Sequence, residues 1–180
     1  LIGKDRLVHV LKEVEEEESY NQFNILIDMA HKADFEHYEI SNFAKNEKYS
    51  QHNTAYWTGK KYLGLGPSAH SFNGRSRRWN VADLEKYNRA LEQNTPFYQQ
   101  EELSANDRFN EYILTNIRTQ WGVSIQKMVE KFGQEKADYF LEASGKFLAN
   151  NTLIQKNDGF VLSRKGLFVS DDIMASLMII

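Results

Sequence analysis

"ELSANDRFNEYILTNIRTQWG", residues 102–122, is the stretch on which the fold turns. Ser104 is followed three positions later by Asp107, the spacing of a capping box that satisfies the free N–H groups at a helix start. Behind it, Phe109, Tyr112, Ile113 and Ile117 recur at helical spacing and form one apolar stripe that needs a partner surface. Gly122 suits the stop, because glycine accepts the left-handed backbone with which helices commonly end.

Partners for that stripe follow in the chain. Ser124 is placed to cap a short helix carrying Ile125, Met128, Val129 and Phe132, which Gly133 ends. A third helix is expected over residues 134–149, with Ala137, Phe140, Leu141, Phe147 and Leu148. "TLIQKNDGFVLS", residues 152–163, reads as two short strands around Asp158-Gly159, a dipeptide suited to a tight hairpin turn. Residues 163–178 close with a helix. Three helices and a hairpin predict a small α+β winged-helix-like domain over residues 104–180.

Upstream the pattern changes. Residues 5–14 place Leu7, Val8, Leu11 and Val14 at helical spacing, and the glutamates at 15–18 read as a solvated helix face or a linker. Residues 20–32 form an amphipathic helix through Phe23, Leu26, Ile27 and Ala30. "FEHYEIS", residues 35–41, reads as a buried strand, and helix then strand is half of an α/β repeat. Residues 42–80 show no clear period and are expected to be a long loop, with a turn at Gly66-Pro67 and permissive glycines at 64, 66 and 74. Loops of that length in compact domains are more often functional than idle. Residues 81–93 return to helix, with Leu84, Tyr87 and Leu91 on one side.

Composition narrows the chemistry. The chain has no cysteine, which excludes disulfides, zinc thiolate sites, a cysteine nucleophile and protein-ligated iron–sulfur clusters within these 180 residues. No apolar run approaches the roughly 20 residues that span a bilayer, and nothing at the start reads as a signal peptide, so a soluble cytoplasmic protein is expected. The chain opens on Leu1 in mid-pattern, as expected of a fragment. Net charge is −3. Residues 45–78 nevertheless hold seven basic side chains (Lys45, Lys48, Lys60, Lys61, Arg75, Arg77, Arg78) against the single acid Glu47, a segment able to attract an anion unless these groups point apart. Residues 104–180 carry nine basic and nine acidic side chains, and the short second helix offers only Lys127 and Lys131. That is thin for neutralising phosphates, so a nucleic-acid-binding winged helix is disfavoured against a packing or substrate-covering role.

The glycines of "GLGPSAH" do not match a dinucleotide fingerprint or a P-loop. No metal-ligand spacing stands out: His9 reads as a surface helix residue, and His31 and His37 as half-buried or exposed. His52 and His70 are better candidates, because both lie in the glycine-rich, basic and aromatic segment. "SQHNTAYWTG", residues 50–59, sits at its centre. Imidazole can ligate iron, donate a hydrogen bond or move a proton near neutral pH. Tyr49, Tyr56, Trp57, Tyr62 and Trp79 supply flat apolar surface, and nearby cations suit carboxylates. A flat, partly apolar, anionic ligand fits, such as a tetrapyrrole with propionates.

"HYEISNFAK" (residues 37–45), "HNTAYWTGKKYLGLGPSAHSF" (52–72) and "RRWN" (77–80) resemble the C-terminal half of oxygen-independent coproporphyrinogen III oxidase-like proteins of the radical S-adenosylmethionine (SAM) superfamily. The direct pair His52-Asn53 followed by Tyr56 resembles most closely the HemW-type haem chaperone branch. The oxidases carry a spaced variant of that element.

The resemblance implies an α/β fold: the end of a partial (β/α) radical SAM barrel in residues 1–44, a motif-bearing connector and helix in 45–103, and the winged-helix-like domain covering the barrel mouth. It implies haem as ligand, with His52 on the haem iron, Asn53 and Tyr56 shaping the site, and Ala44 near the SAM region. It also implies a parent with a [4Fe–4S] cluster and S-adenosylmethionine, and haem-accepting proteins as partners. The cysteine triad that would hold the cluster is absent here, so this chain is not expected to cleave SAM alone. The runner-up is the oxidase reaction, decarboxylation of coproporphyrinogen III to protoporphyrinogen IX, in which His52 would help position the substrate.

Overall fold

A computed structural model describes residues 15–156 and 159–180. The helix expected over residues 5–14, with His9, lies outside them, as does Asp158 of the expected hairpin turn. Helix α1 (Glu16–Lys32) begins with three glutamates and ends with His31 and Lys32, charges that complement the helix dipole at both ends. The glutamates are thus its first turn. The expected apolar stripe is not a core stripe: no residue of α1 is fully buried, and Leu26 is exposed beside Ile25 and Met29. What holds the helix is Phe23, whose ring meets His37 and Phe168, together with Tyr20 against Phe168 and an Arg164–Asp28 ion pair at 2.6 Å.

Strand β1 (Phe35–Glu39) turns straight back into β2 (Asn42–Lys45) as an antiparallel two-stranded sheet, with a register shift between His37 and Glu39. The buried strand is present, but within the chain its partner is a hairpin strand. The chain does not stop pairing at Glu39. An isolated antiparallel bridge joins Glu39 to Thr119, the Ile40 N–H donates to the Arg118 carbonyl at 3.2 Å, and the Gln120 N–H donates to the Tyr38 carbonyl at 3.0 Å. Residues 118–120 therefore act as a further partner for β1, across about 80 residues of sequence.

The expected long loop contains more order than its pattern suggests. Helix α2 (Gln51–Trp57) and strands β3 (His70–Phe72) and β4 (Ser76–Asn80) lie inside it, and β5 (Tyr98–Glu102) completes an antiparallel sheet in the order β3-β4-β5. The stretch from 62 to 69 remains irregular and is fastened to this sheet. Gly64 approaches the His70 carbonyl so closely that a Cβ would stand 2.1 Å from its oxygen. The Asn80 amide donates to the Gly66 carbonyl at 2.8 Å. Helix α3 (Leu84–Glu92) starts at Asp83, whose carboxylate accepts from the Lys86 N–H; Leu84 and Leu91 face solvent instead of forming the expected packed side.

The main core lies in the terminal unit. Helix α4 (Ala105–Ile117) has the full capping box between Ser104 and Asp107, and buries Phe109, Ile113 and Ile117 completely. Then come β6 (Val123–Ser124), α5 (Ile125–Phe132, capped by Ser124), α6 (Gln134–Ala149), β7 (Leu153–Lys156) and β8 (Gly159–Leu162), the three strands ordered β6-β8-β7. Three helices under a three-stranded antiparallel sheet match the winged-helix expectation, with β6 an addition to it. Two details differ. Gly122 does not terminate α4, which ends at Ile117; at φ +65° it turns the chain into β6, where any Cβ would meet the Phe160 carbonyl oxygen at 2.1 Å. The closing helix is two helices, α7 (Arg164–Phe168) and α8 (Ser170–Leu177), broken at Val169; Ile173, Met174 and Leu177 of α8 seal the core. Leu141 points outward and is not a core residue.

No helix among the described residues is long and apolar enough to cross a membrane.

Candidate functional site

Helix α2 carries His52, Asn53 and Tyr56. It is two turns long and has no apolar stripe, so its existence rests on its ends and neighbours. The Ser50 hydroxyl accepts from the Asn53 N–H at 3.2 Å and caps it, while the Ser50 N–H donates to the buried Tyr38 hydroxyl. Trp57 packs edge-on to Tyr38, which also meets Tyr49 and Trp121, so the last turn of α2 is pinned to β1 and to the segment after α4. The Tyr49 hydroxyl donates to Glu36 and accepts from the Gln120 amide; its pKa is raised, chiefly by the bond to Glu36.

These constraints fix which face of α2 is free. His52 is exposed, its ring set edge-on to Tyr56 at 4.9 Å between centroids, and among the described residues its ring nitrogens make no hydrogen bond. Tyr56, 38% exposed, stands in turn edge-on to Tyr62 at 4.6 Å. Burial pushes the Tyr62 hydroxyl up, with Arg77 drawing it the other way. Asn53 points inward, and its amide donates to the Asn42 side-chain oxygen at 3.2 Å.

Asn42 leads to the most heavily engaged charge near the site. Its amide donates to Glu39, whose side chain is 1% exposed. The same Glu39 oxygen accepts the Ser41 N–H at 3.0 Å, and the other accepts Arg118 Nε at 2.6 Å. Burial is the largest single influence and pushes this carboxyl up, but the bonds from Asn42, Ser41 and Arg118 together outweigh it and hold the pKa below the usual glutamate value. A cavity of about 300 Å³ opens beside these groups, lined by Glu39, Ser41, Asn42, Asn53, Tyr56, Trp57 and Arg118. Ala44, buried on β2, is two positions from Asn42 and so on the same face of that strand.

The other candidates lie apart. His70 is on β3, paired with Trp79 across the sheet, and both line a separate cavity of about 550 Å³ with Asp83, Lys86 and Gln99. His37 stacks on Phe43 and bonds the Ile40 carbonyl, while His31 is exposed. Among the described residues no three His, Asp or Glu side chains gather as a metal site. The basic segment is dispersed: Arg77 pairs with Glu111, Arg78 covers the Tyr98 ring, and Lys45 turns toward Asp34 and the Ala33 carbonyl. Glu39, Asn42 and Arg118 were not legible as site residues. The only signal was a glutamate inside a strand expected to be buried, which demands a cation without naming it.

Comparison with known proteins gives the following similarities. Residues 103–169 match the family described as HemN C-terminal domain. The chain is 29% identical to the heme chaperone HemW of Bacillus subtilis over 180 residues, covering 99% of the chain and 46% of that protein. HemW of Mycobacterium tuberculosis is 29% identical over 147 residues, 81% of the chain and 36% of that protein. The mitochondrial radical S-adenosyl methionine domain-containing protein 1 of Danio rerio is 56% identical over a shorter stretch of 36 residues, 20% of the chain and 8% of that protein. In structure, the coproporphyrinogen III oxidase HemN of Escherichia coli, a radical SAM enzyme, superposes with a TM-score of 0.70 over 92% of this chain and 42% of that one, at 15% identity. At that identity the likeness is one of fold. The chain spans less than half the length of the curated relatives it matches, and its residues 103–169 are similar to a domain described as C-terminal.

Proposed function

We propose that this chain is the haem-handling portion of a radical SAM-family haem chaperone, which binds haem and passes it to acceptor proteins. The observation that carries the reading is the exposed His52 imidazole, held on a capped helix beside Tyr56 with both ring nitrogens uncommitted among the described residues. An imidazole so placed can reach the iron of a haem that approaches from solvent. Tyr56 offers a flat surface at the ring edge, and Asn53 orients the helix from its inner side through Asn42. Relatives named haem chaperones, similar over most of the chain, support the assignment.

In the proposed division, residues 1–44 finish the parent's barrel, 45–103 carry the motif, and 104–180 pack against both, with Ala44 at the edge of the SAM region. A [4Fe–4S] cluster would be ligated elsewhere in the parent, because no cysteine is available in these residues, and S-adenosylmethionine would lie beside it. The cytoplasm is the expected compartment, and neither nucleic acid nor a membrane is an expected partner.

The test is a haem titration of the full chain, followed by its absorption spectrum, for the wild type and His52→Ala. The wild type is expected to give a shifted Soret band that the variant lacks. An identical spectrum in both would end the ligand assignment. Because His52 is exposed, the variant should melt with the wild type, which separates loss of ligation from loss of fold.

A further inference from the structure

We propose that Arg118 is the carboxylate-binding group of this site, and that its two terminal guanidinium nitrogens take one propionate of the tetrapyrrole held against α2. The inference rests on the haem reading in one respect, that the occupant's ring lies beside Tyr56.

Arg118 follows the last turn of α4, yet it lines the cavity beside the motif helix with Asn53, Tyr56 and Trp57. Its backbone carbonyl accepts the Ile40 N–H, so the residue is fixed to β1 from both ends of its side chain. Only Nε is used: it donates to Glu39 at 2.6 Å, while the terminal nitrogens make no hydrogen bond among the described residues. The side chain is 38% exposed, against 1% for Glu39.

Glu39 is the reason this arrangement presents a cation outward. Both of its oxygens are already filled, one by Arg118 and the other by Ser41 and Asn42, so it is a positioning residue that aims the guanidinium. With the Nε edge occupied, the end-on pair of terminal nitrogens is left in the fork that matches a carboxylate. Apart from Arg118 and Glu39 itself, no charged side chain among the described residues lines the cavity. At about 300 Å³ the space is small for a macrocycle and ample for its carboxylate arm, which places the ring outside, over Tyr56 and toward His52.

The experiment uses protoporphyrin IX and its dimethyl ester, which share a ring but not the charged arms and which carry no iron. Binding to the full chain is followed by quenching of tryptophan fluorescence. The free acid is expected to bind the wild type about tenfold more tightly than the ester, the worth of one charge-assisted contact. Arg118→Lys keeps a cation for Glu39 but has no pair of terminal nitrogens to present end-on to a second carboxylate, so the ratio should fall close to one. If that variant fails to fold, the double variant Glu39→Gln/Arg118→Gln removes both charges together and should collapse the ratio in the same way. A wild-type ratio near one, or a ratio that survives these substitutions, overturns the proposal. Since the probe has no iron, this result is independent of the His52 titration, and either assignment can fall while the other stands.

Discussion

Replacing Glu39 by glutamine tests the network that positions the motif helix. One carboxylate oxygen becomes an NH₂ group, and every group around it is a donor: Arg118 Nε on one side, the Ser41 N–H and the Asn42 amide on the other. Whichever way the amide turns, a donor faces a donor. At least one bond to a charged acceptor is lost, at about 1.5–3 kcal/mol each, and a buried donor is left unmatched. Arg118 loses its counterion too, a penalty reduced by its partial exposure. A loss of about 3 kcal/mol is expected, a fall in Tm of about 6–12 °C for a domain of this size.

The pH dependence sharpens the test. The Glu39 carboxyl titrates below its ordinary value in the folded chain. Its stabilising effect is therefore complete above the unfolded pKa near 4.5 and is lost as pH falls through the folded value. The deficit of Glu39→Gln should be full at pH 6–7 and shrink on acidification below the unfolded pKa, as pH falls toward the depressed folded value. Denaturant unfolding of both proteins at several pH values reads this directly, with the slope m unchanged. A Tm loss under about 2 °C, or a deficit that widens in acid, would refute the account of Glu39 as a satisfied buried carboxylate.

Two further predictions concern the terminal unit. Gly122→Ala drives a Cβ against the Phe160 carbonyl at a positive φ and should cost more than 3 kcal/mol or prevent folding; Gly133→Ala, at φ +85° and ψ 170° with open space around it, carries backbone strain alone and should cost about 1–3 kcal/mol. Comparative thermal melts decide it, and equal losses would show that steric contact at 122 is not the cause. Ser104→Ala removes the cap of α4 and should cost about 1 kcal/mol, visible as a lower urea midpoint.

The terminal unit was largely legible because its signals are local. Ser104 and Asp107, Ser124 and Gly133 mark helix ends by chemistry within a few residues, and Phe109, Ile113 and Ile117 state a period. The segment from 42 to 80 was not legible. Its strands are three to five residues long and its helix seven, too short to show a period, and their stability comes from partners such as Tyr38, β5 and Tyr87 that sequence distance hides. His52, Asn53 and Tyr56 were visible as a motif through resemblance. What could not be seen was their support, because nothing in "FEHYEIS" names Arg118, 79 positions away, as the partner of Glu39. The stripe on α1 erred in the opposite direction: apolar spacing specifies a face that can be buried, not the surface that covers it.

The pairing of residues 118–120 with β1 changes where the protein can be cut. The sequence pattern begins a new unit at residue 104, but a piece begun there would expose the backbone groups of 118 and 120 that pair with residues 38–40, and it would carry Arg118 without Glu39. Expression of the winged-helix-like unit by itself therefore amounts to peeling a strand from a sheet, and any excised version that is to keep its shape must take residues 35–45 along.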